Sequence, residues 1–208
     1  AHIGDGNQIF SYAVIGTDPQ DLKYRGEKTG LSIGNRNVIR EFVTINRSNC
    51  SSELTSVGDG NLLMEYVHVG HNCQIGSGCV IANTVQMAGH LVIEDYVSIG
   101  GLTAIHQFVH IGTHAFVGGA SAVKKDIPPY TRGMGNPYKT SGLNIVGLQR
   151  KGFSSESLDS IKEIYRVFYR QGLNVSQALE IVESWPTLTP EQRIFLEFVR
   201  SSERGLSN

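Results

Sequence analysis

From Val57 to Val123 an aliphatic residue, once a methionine, falls at every sixth position. The series is Val57, Leu63, Val69, Ile75, Ile81, Met87, Ile93, Ile99, Ile105, Ile111, Val117 and Val123. The same phase recurs upstream at Ile3, Ile9, Ile15, Ile33, Ile39 and Ile45. A period of six is neither the 3.6 of a helix nor the 2 of an alternating strand. It predicts a hexapeptide solenoid, in which short strands and turns coil into a parallel β-helix. The position after each aliphatic is small or turn-forming, as at Gly34, Gly58, Gly70, Gly76, Ala82, Ala88, Gly100, Gly112 and Gly118, and is read as the tight corner of each coil. A second column follows four places after the aliphatic: Val67, Cys73, Cys79, Val85, Leu91, Val97, Thr103, Val109, Ala115 and Ser121. It lies an even number of residues along a short strand and is expected to face inward.

Two polar stretches, Thr17 to Thr29 and Arg47 to Ser56, break the period and read as loops extruded from a rigid scaffold. The chain opens at Ala1-His2-Ile3-Gly4 already in phase, without the atypical capping segment of most solenoids, so either N-terminal coils have been removed or the chain is a fragment. Asp126-Ile127-Pro128-Pro129 ends the repeat, because proline cannot donate to a strand ladder. The chain therefore divides into a β-helix over 1–131 and a connector with a small helical domain over 132–208. Arg132 to Gly147 reads as the connector. Ser154 and Ser155 offer an N-cap to a helix with Leu158, Ile161, Tyr165 and Phe168 on one face, stopped by Gly172. Ser176 to Ser184 forms a second helix. Thr189-Pro190-Glu191 opens a third, with Ile194, Phe195 and Phe198 inward.

Composition narrows the function. A net charge of −1 over 208 residues gives no sign of a nucleic-acid partner, and no apolar run reaches membrane-spanning length. Cys73 and Cys79 fall in the inward column and read as buried core residues. With Cys50 they make an odd count, so no disulfide framework and a reducing, cytoplasmic setting are expected.

The period also places the histidines. Three strands per coil make eighteen residues per turn, so hexads eighteen apart stack on one face about 4.8 Å apart. His71 then stacks with Gly89 and Gln107, Asn72 with His90, and Ala88 with His106, while His68 ends the preceding hexad. Four of the seven histidines thus meet on one edge, and His2, His110 and His114 are left as surface residues. Such a cluster suits two chemistries. Three histidines can hold zinc, or one neutral histidine can serve as a general base.

The stretches His68-Val69-Gly70-His71-Asn72-Cys73, Ala88-Gly89-His90 and Ala104-Ile105-His106-Gln107-Phe108 resemble the UDP-N-acetylglucosamine O-acyltransferase family, which starts lipid A biosynthesis. So do Gln20-Asp21-Leu22-Lys23-Tyr24, Asn61-Leu62-Leu63-Met64, Gly142-Leu143-Asn144-Ile145 and Arg204-Gly205. The resemblance covers the whole chain, less about fifty N-terminal residues that such enzymes carry. It implies a homotrimer of left-handed parallel β-helices with active sites between adjacent subunits. It implies acyl carrier protein bearing a (R)-3-hydroxyacyl chain as donor and UDP-N-acetylglucosamine as acceptor at its 3-hydroxyl. Neither cofactor nor metal is expected, because the partners available to the histidine cluster are Asn72, Gln107 and Gly89 and no inward cysteine can reach it. His71 matches the general base, and the Gly89 N–H matches the oxyanion donor. Asp21, Lys23, His68, His90, His106 and Gln107 match residues around the sugar and acyl groups. Asn144 and Arg150 match nucleotide contacts, where arginine suits phosphate. Gly119 matches the position that limits acyl-chain length.

The chain departs from that pattern in places. Asn72 stands where many relatives carry Asp beside the base, Asn46 where they carry His, Val146 where they carry Glu, and Lys151 where they carry Arg. Three other readings stand beside the main one: the related N-acyltransferase that acts on the acylated sugar, a zinc carbonic-anhydrase-like β-helix, and a non-catalytic trimeric scaffold. The helical tail and the Gln-Asp-Leu-Lys loop disfavour the first.

Overall fold

The computed structural model describes residues 1–208 and shows a left-handed parallel β-helix continuing into four short helices. Strands of two to four residues build three faces. The first face holds Leu54–Val57, Gln74–Ile75 and Val92–Ile93, the second Leu62–Leu63, Val80–Ile81 and Ser98–Ile99, and the third His68–Val69, Gln86–Met87 and Ala104–Ile105. The pairing is parallel and in the expected register, with Val69 against Met87 and Met87 against Ile105. Both inward columns fill the axis, and 27 buried residues form one continuous cluster. Burying each large aliphatic contributes about 1.5–3 kcal/mol. Ile3 and Ile9, in the first coil of the chain, keep register with Ile33 and Ile39.

The corners differ from the sequence reading. The left-handed backbone falls three residues after each aliphatic, and that column is rarely glycine. Thirteen non-glycine residues adopt it, from φ 53 at Arg36 to φ 66 at Tyr130, among them Asn72, His90, Phe108 and His114. The small column serves a different need. A Cβ on Gly70 would lie 2.7 Å from the Met87 carbonyl oxygen, and one on Gly58 2.7 Å from that of Gly76. Glycine there permits close coil-on-coil approach.

Both interruptions leave from one corner. The chain from Thr17 to Gly30 and the chain from Asn46 to Leu54 each connect the third face to the first, the corner at which His71 and His90 sit. The second loop is shorter than expected, because Thr55 is already a buried strand residue.

The connector is more ordered than its composition suggests. Thr131–Met134 pairs parallel with Phe116–Val117, extending the second face, and antiparallel with Lys139–Leu143. Ile145–Arg150 (α1) follows, then Ser155–Arg170 (α2), Val175–Glu183 (α3) and Pro190–Ser201 (α4). Ser154 caps α2, and Thr189 with Gln192 makes a reciprocal capping box on α4. Ile194, expected inward, is 40% exposed, whereas Phe195 and Phe198 are buried. No helix is long and apolar enough to cross a membrane.

His110 and His114 are not free surface residues. His110 Nε2 lies 2.7 Å from Glu94 Oε1, and its ring lies 4.4 Å from that of Phe198. His114 packs against Tyr96, Tyr130 and Phe153. Asp126 adds to this joint by accepting from Ser202 Oγ at 2.7 Å. Both histidines thus help seat the helical tail on the solenoid.

Candidate active site

The third face carries an open cleft of about 420 Å³ along the strands that end at Val69, Met87 and Ile105. Its walls include Gln20, Asn46, His68, Gly70, His71, Gln86, Gly89 and Gln107. The register sets their order along the axis. His90 N donates to the His71 carbonyl and Phe108 N to that of Gly89, so His71, Gly89 and Gln107 rise in one column.

His71 lies across Gly89. A Cβ on Gly89 would stand 2.5 Å from His71 Cε1 and 2.7 Å from Nε2, so only glycine lets the ring rest there undisturbed. Gly89 N–H has no hydrogen-bond partner in the chain. At the corner between the first and second faces, the equivalent N–H groups of Asn35, Asp59, Ser77 and Thr113 are each taken by a side chain: Asp59, Ser77, Asp95 and Glu94. The cleft edge leaves its own donor open, and an unengaged N–H is a donor that a ligand can use.

The other nitrogen of His71 is fixed. Nδ1 lies 3.0 Å from Asn72 Oδ1. The neighbours settle the orientation of that amide. Asn49 N–H, which can only donate, reaches Oδ1 at 2.9 Å, and the Glu53 carboxylate, which accepts, takes Nδ2 at 2.6 Å. Oδ1 therefore faces His71, and Nδ1 carries the proton. Nε2 keeps its lone pair, the tautomer that a base needs.

The remaining histidines frame this centre. His68 Nδ1 lies 2.7 Å from Thr44 Oγ1, and burial, then the neighbouring His71, hold its imidazole below the ordinary histidine value. His90 stacks on Phe108 at 4.8 Å and meets His71 edge-on at 5.1 Å. Burial and His71 lower it too, against the pull of Glu53 and Asp21. His106 is exposed and turns Nδ1 toward the Gln107 carbonyl at 3.1 Å. Asp21 accepts from Lys23 N–H at 2.9 Å and from Asn49 Nδ2 at 2.7 Å, and these bonds hold its carboxyl below the usual range. Lys23 itself is exposed. Asn46 donates to Thr17 Oγ1 and the Asp18 carbonyl, while its Oδ1 is buried without a partner. No three His, Cys, Asp or Glu side chains converge to hold a metal ion within the chain.

Three of the expected site residues stand elsewhere on the chain. Asn144 caps α1, accepting from Gly147 N and donating to the His114 carbonyl at 3.0 Å, which places it at the corner between the first and second faces. Arg150 ends the same helix, and Lys151 beside it lies over the Tyr96 ring at 4.6 Å. Gly119 precedes the corner residue Ala120 between the second and third faces, close against Gly101. The sequence reading missed Asn49 and Glu53, which lie in the out-of-phase loop where no period assigns a neighbour.

Comparison with known proteins supplies the context for this geometry. Residues 55–89 match a profile described as bacterial transferase hexapeptide (six repeats), and residues 126–207 match one described as UDP N-acetylglucosamine O-acyltransferase, domain 2. The chain is 50% identical over 183 residues to the acyl-[acyl-carrier-protein]--UDP-N-acetylglucosamine O-acyltransferase of Gloeothece citriformis, covering 88% of this chain and 66% of that protein. The protein of the same name from Nautilia profundicola is 50% identical over 206 residues, covering 98% of this chain and 79% of that one. The crystal structure of a UDP-N-acetylglucosamine acyltransferase from Bacteroides fragilis superposes with a TM-score of 0.95 at 46% identity, over 99% of this chain and 81% of that one. The chain thus spans from about two thirds to four fifths of these relatives.

Proposed function

As the chain belongs to the UDP-N-acetylglucosamine O-acyltransferase family, we propose that it transfers a (R)-3-hydroxyacyl group from acyl carrier protein to the 3-hydroxyl of UDP-N-acetylglucosamine, the first step of lipid A biosynthesis. The observation that carries this reading is the pairing of an oriented base with an open donor: His71, whose Nδ1 faces Asn72 Oδ1, lies above Gly89, whose N–H is unengaged.

The chemistry follows from that pair. His71 Nε2 takes the proton of the sugar hydroxyl as its oxygen attacks the thioester carbonyl. Charge develops on the carbonyl oxygen, and the Gly89 N–H stabilises it. Collapse of the tetrahedral intermediate breaks the carbon–sulfur bond, and the departing thiolate receives the proton held on His71. Asn72 Oδ1 stabilises the imidazolium through Nδ1–H while it exists. His68 and Gln107 of the cleft walls, with His90 and His106 beside them and Asp21 and Lys23 from the loop, would hold sugar and acyl chain. Arg150 and Asn144 would meet the nucleotide, and Gly119 would bound the acyl groove. Cys73 and Cys79 are free thiols that burial pushes up to about 12, in keeping with an inert core in a cytoplasmic protein.

These groups lie at three different corners of one coil stack. A homotrimer would bring them together, each cleft being closed by the neighbouring copy. The test of the base is His71→Ala. We expect a folded protein with turnover reduced by on the order of a hundredfold or more. Near-normal turnover in the folded variant would remove the assignment.

A further inference from the structure

Asn72 raises a question that its neighbours answer. A carboxylate beside a catalytic histidine can accept from Nδ1–H in either orientation. An amide can do so in only one, and the wrong one presents an N–H to the ring and favours the opposite tautomer. We propose that Glu53 is a positioning residue for His71, holding the Asn72 amide in the productive orientation and supplying through it the negative charge that the dyad lacks. The inference rests on the reading of His71 as the base.

Three observations carry it. Glu53 Oε2 accepts from Asn72 Nδ2 at 2.6 Å, the shortest bond that the amide makes. Asn72 is 3% exposed and its backbone N–H is tied to Thr55 Oγ1 at 2.8 Å, so the amide cannot leave and can only flip about its own axis. The same Oε2 lies 3.6 Å from His90 Nδ1, and His90 meets the His71 ring edge-on. One carboxylate therefore holds the Asn72 amide and faces the His90 ring that packs against the base. Asn49 N–H reinforces the amide orientation from the opposite side but brings no charge. Glu53 itself does not line the cleft, and the hydrogen bond to His71 Nδ1 comes from Asn72.

The experiment compares Glu53→Ala, Glu53→Gln and the double variant Glu53→Ala/Asn72→Asp, using the acyl carrier protein thioester and UDP-N-acetylglucosamine. For Glu53→Ala we expect kcat to fall roughly ten- to a hundredfold, by analogy with the outer partners of metal-bound histidines, with little change in the KM for the sugar. Nitrogen-15 spectra of labelled imidazole should show the Nε2-protonated form of His71 gaining population. Glu53→Gln can still accept from Asn72 Nδ2, so it should keep the tautomer and lose less turnover. In the double variant the carboxylate introduced by Asn72→Asp accepts directly and cannot flip wrongly, so it should restore turnover. Asn72→Asp with Glu53 in place sets two carboxylates against each other and should not match that rescue. Glu53→Ala with kcat within twofold and an unchanged tautomer would overturn the inference while the base reading stood. So would failure of Asn72→Asp to rescue turnover in a folded double variant. If His71→Ala itself kept turnover, the base reading would fail instead, and the imidazole spectrum would still decide whether Glu53 positions the ring.

Discussion

Replacing Gly89 with alanine isolates the geometry of the base from the donor beneath it. Alanine keeps the backbone N–H, and Gly89 has no left-handed φ that a Cβ would strain. The new methyl would stand 2.5 Å from His71 Cε1. Carbon atoms in contact prefer about 3.5–4.0 Å, so the ring must retreat by about 1 Å. A displacement of that size at the reacting atoms costs about a hundredfold in rate, or about 2.7 kcal/mol of barrier. Folding should hardly notice. The clashing group is a side-chain ring at the cleft rather than backbone, and a glycine-to-alanine change at a compatible site shifts stability by only about 0.4–1 kcal/mol. Steady-state kcat and urea unfolding of Gly89→Ala would be measured together, in the parent and in His71→Ala. We expect a hundredfold loss with unchanged unfolding in the parent, and no further loss where the imidazole is gone, since the three atoms nearest the methyl all belong to that ring. Normal turnover in Gly89→Ala, or a loss that multiplies in the double variant, would refute the argument.

Other expectations concern chain length, pH and assembly. Gly119→Met should shift kcat/KM toward shorter acyl chains, two methylenes at about 0.8 kcal/mol each separating substrates by roughly an order of magnitude. Its Cβ meets the Gly101 carbonyl oxygen at 3.1 Å, so Gly119→Ala serves as the control for backbone shift, and an unchanged profile of thioester preference would place the end of the groove elsewhere. His68, His90 and His114 are all held below the ordinary histidine value, chiefly by burial. The unfolded chain therefore takes up protons first, near pH 6.5, and stability should be full above that pH and decline as pH falls through it toward the folded values. A urea midpoint equal at pH 7.5 and pH 5.5 would contradict this. Light scattering should report a homotrimer, and a fully active monomer would refute the shared cleft.

The solenoid is legible because its period converts sequence spacing directly into neighbours. With Val69, Met87 and Ile105 on one face, the column of His71, Gly89 and Gln107 follows from arithmetic, and the strand pairing bears it out. The corner is misplaced by sequence because a small residue signals two different needs. Gly70 is small so that Met87 can approach, whereas the left-handed position belongs to Asn72, which tolerates it. Glu53 and Asn49 escape a sequence reading because they reach Asn72 from an out-of-phase loop, 19 and 23 residues away, and no periodicity links such positions. The hairpin of Thr131–Met134 and Lys139–Leu143 is hidden by its glycine and proline content, which masks the parallel partner that Phe116–Val117 offers.

The eighteen-residue offset of the coils also bears on how the chain reaches this structure. From Leu54 onward each short strand pairs with one a single coil away, as Gln74 does with Ser56 and with Val92. Neighbouring coils therefore close loops of one nearly constant length, and the closure entropy is the same at every step. Order can spread from coil to coil as along a one-dimensional lattice, without the distant strand searches that slow most β-proteins. The weak point of such a process is interruption. A central coil that cannot form, for instance with a charge in place of Ile81, would halt propagation from both directions and leave two half-solenoids with open ends.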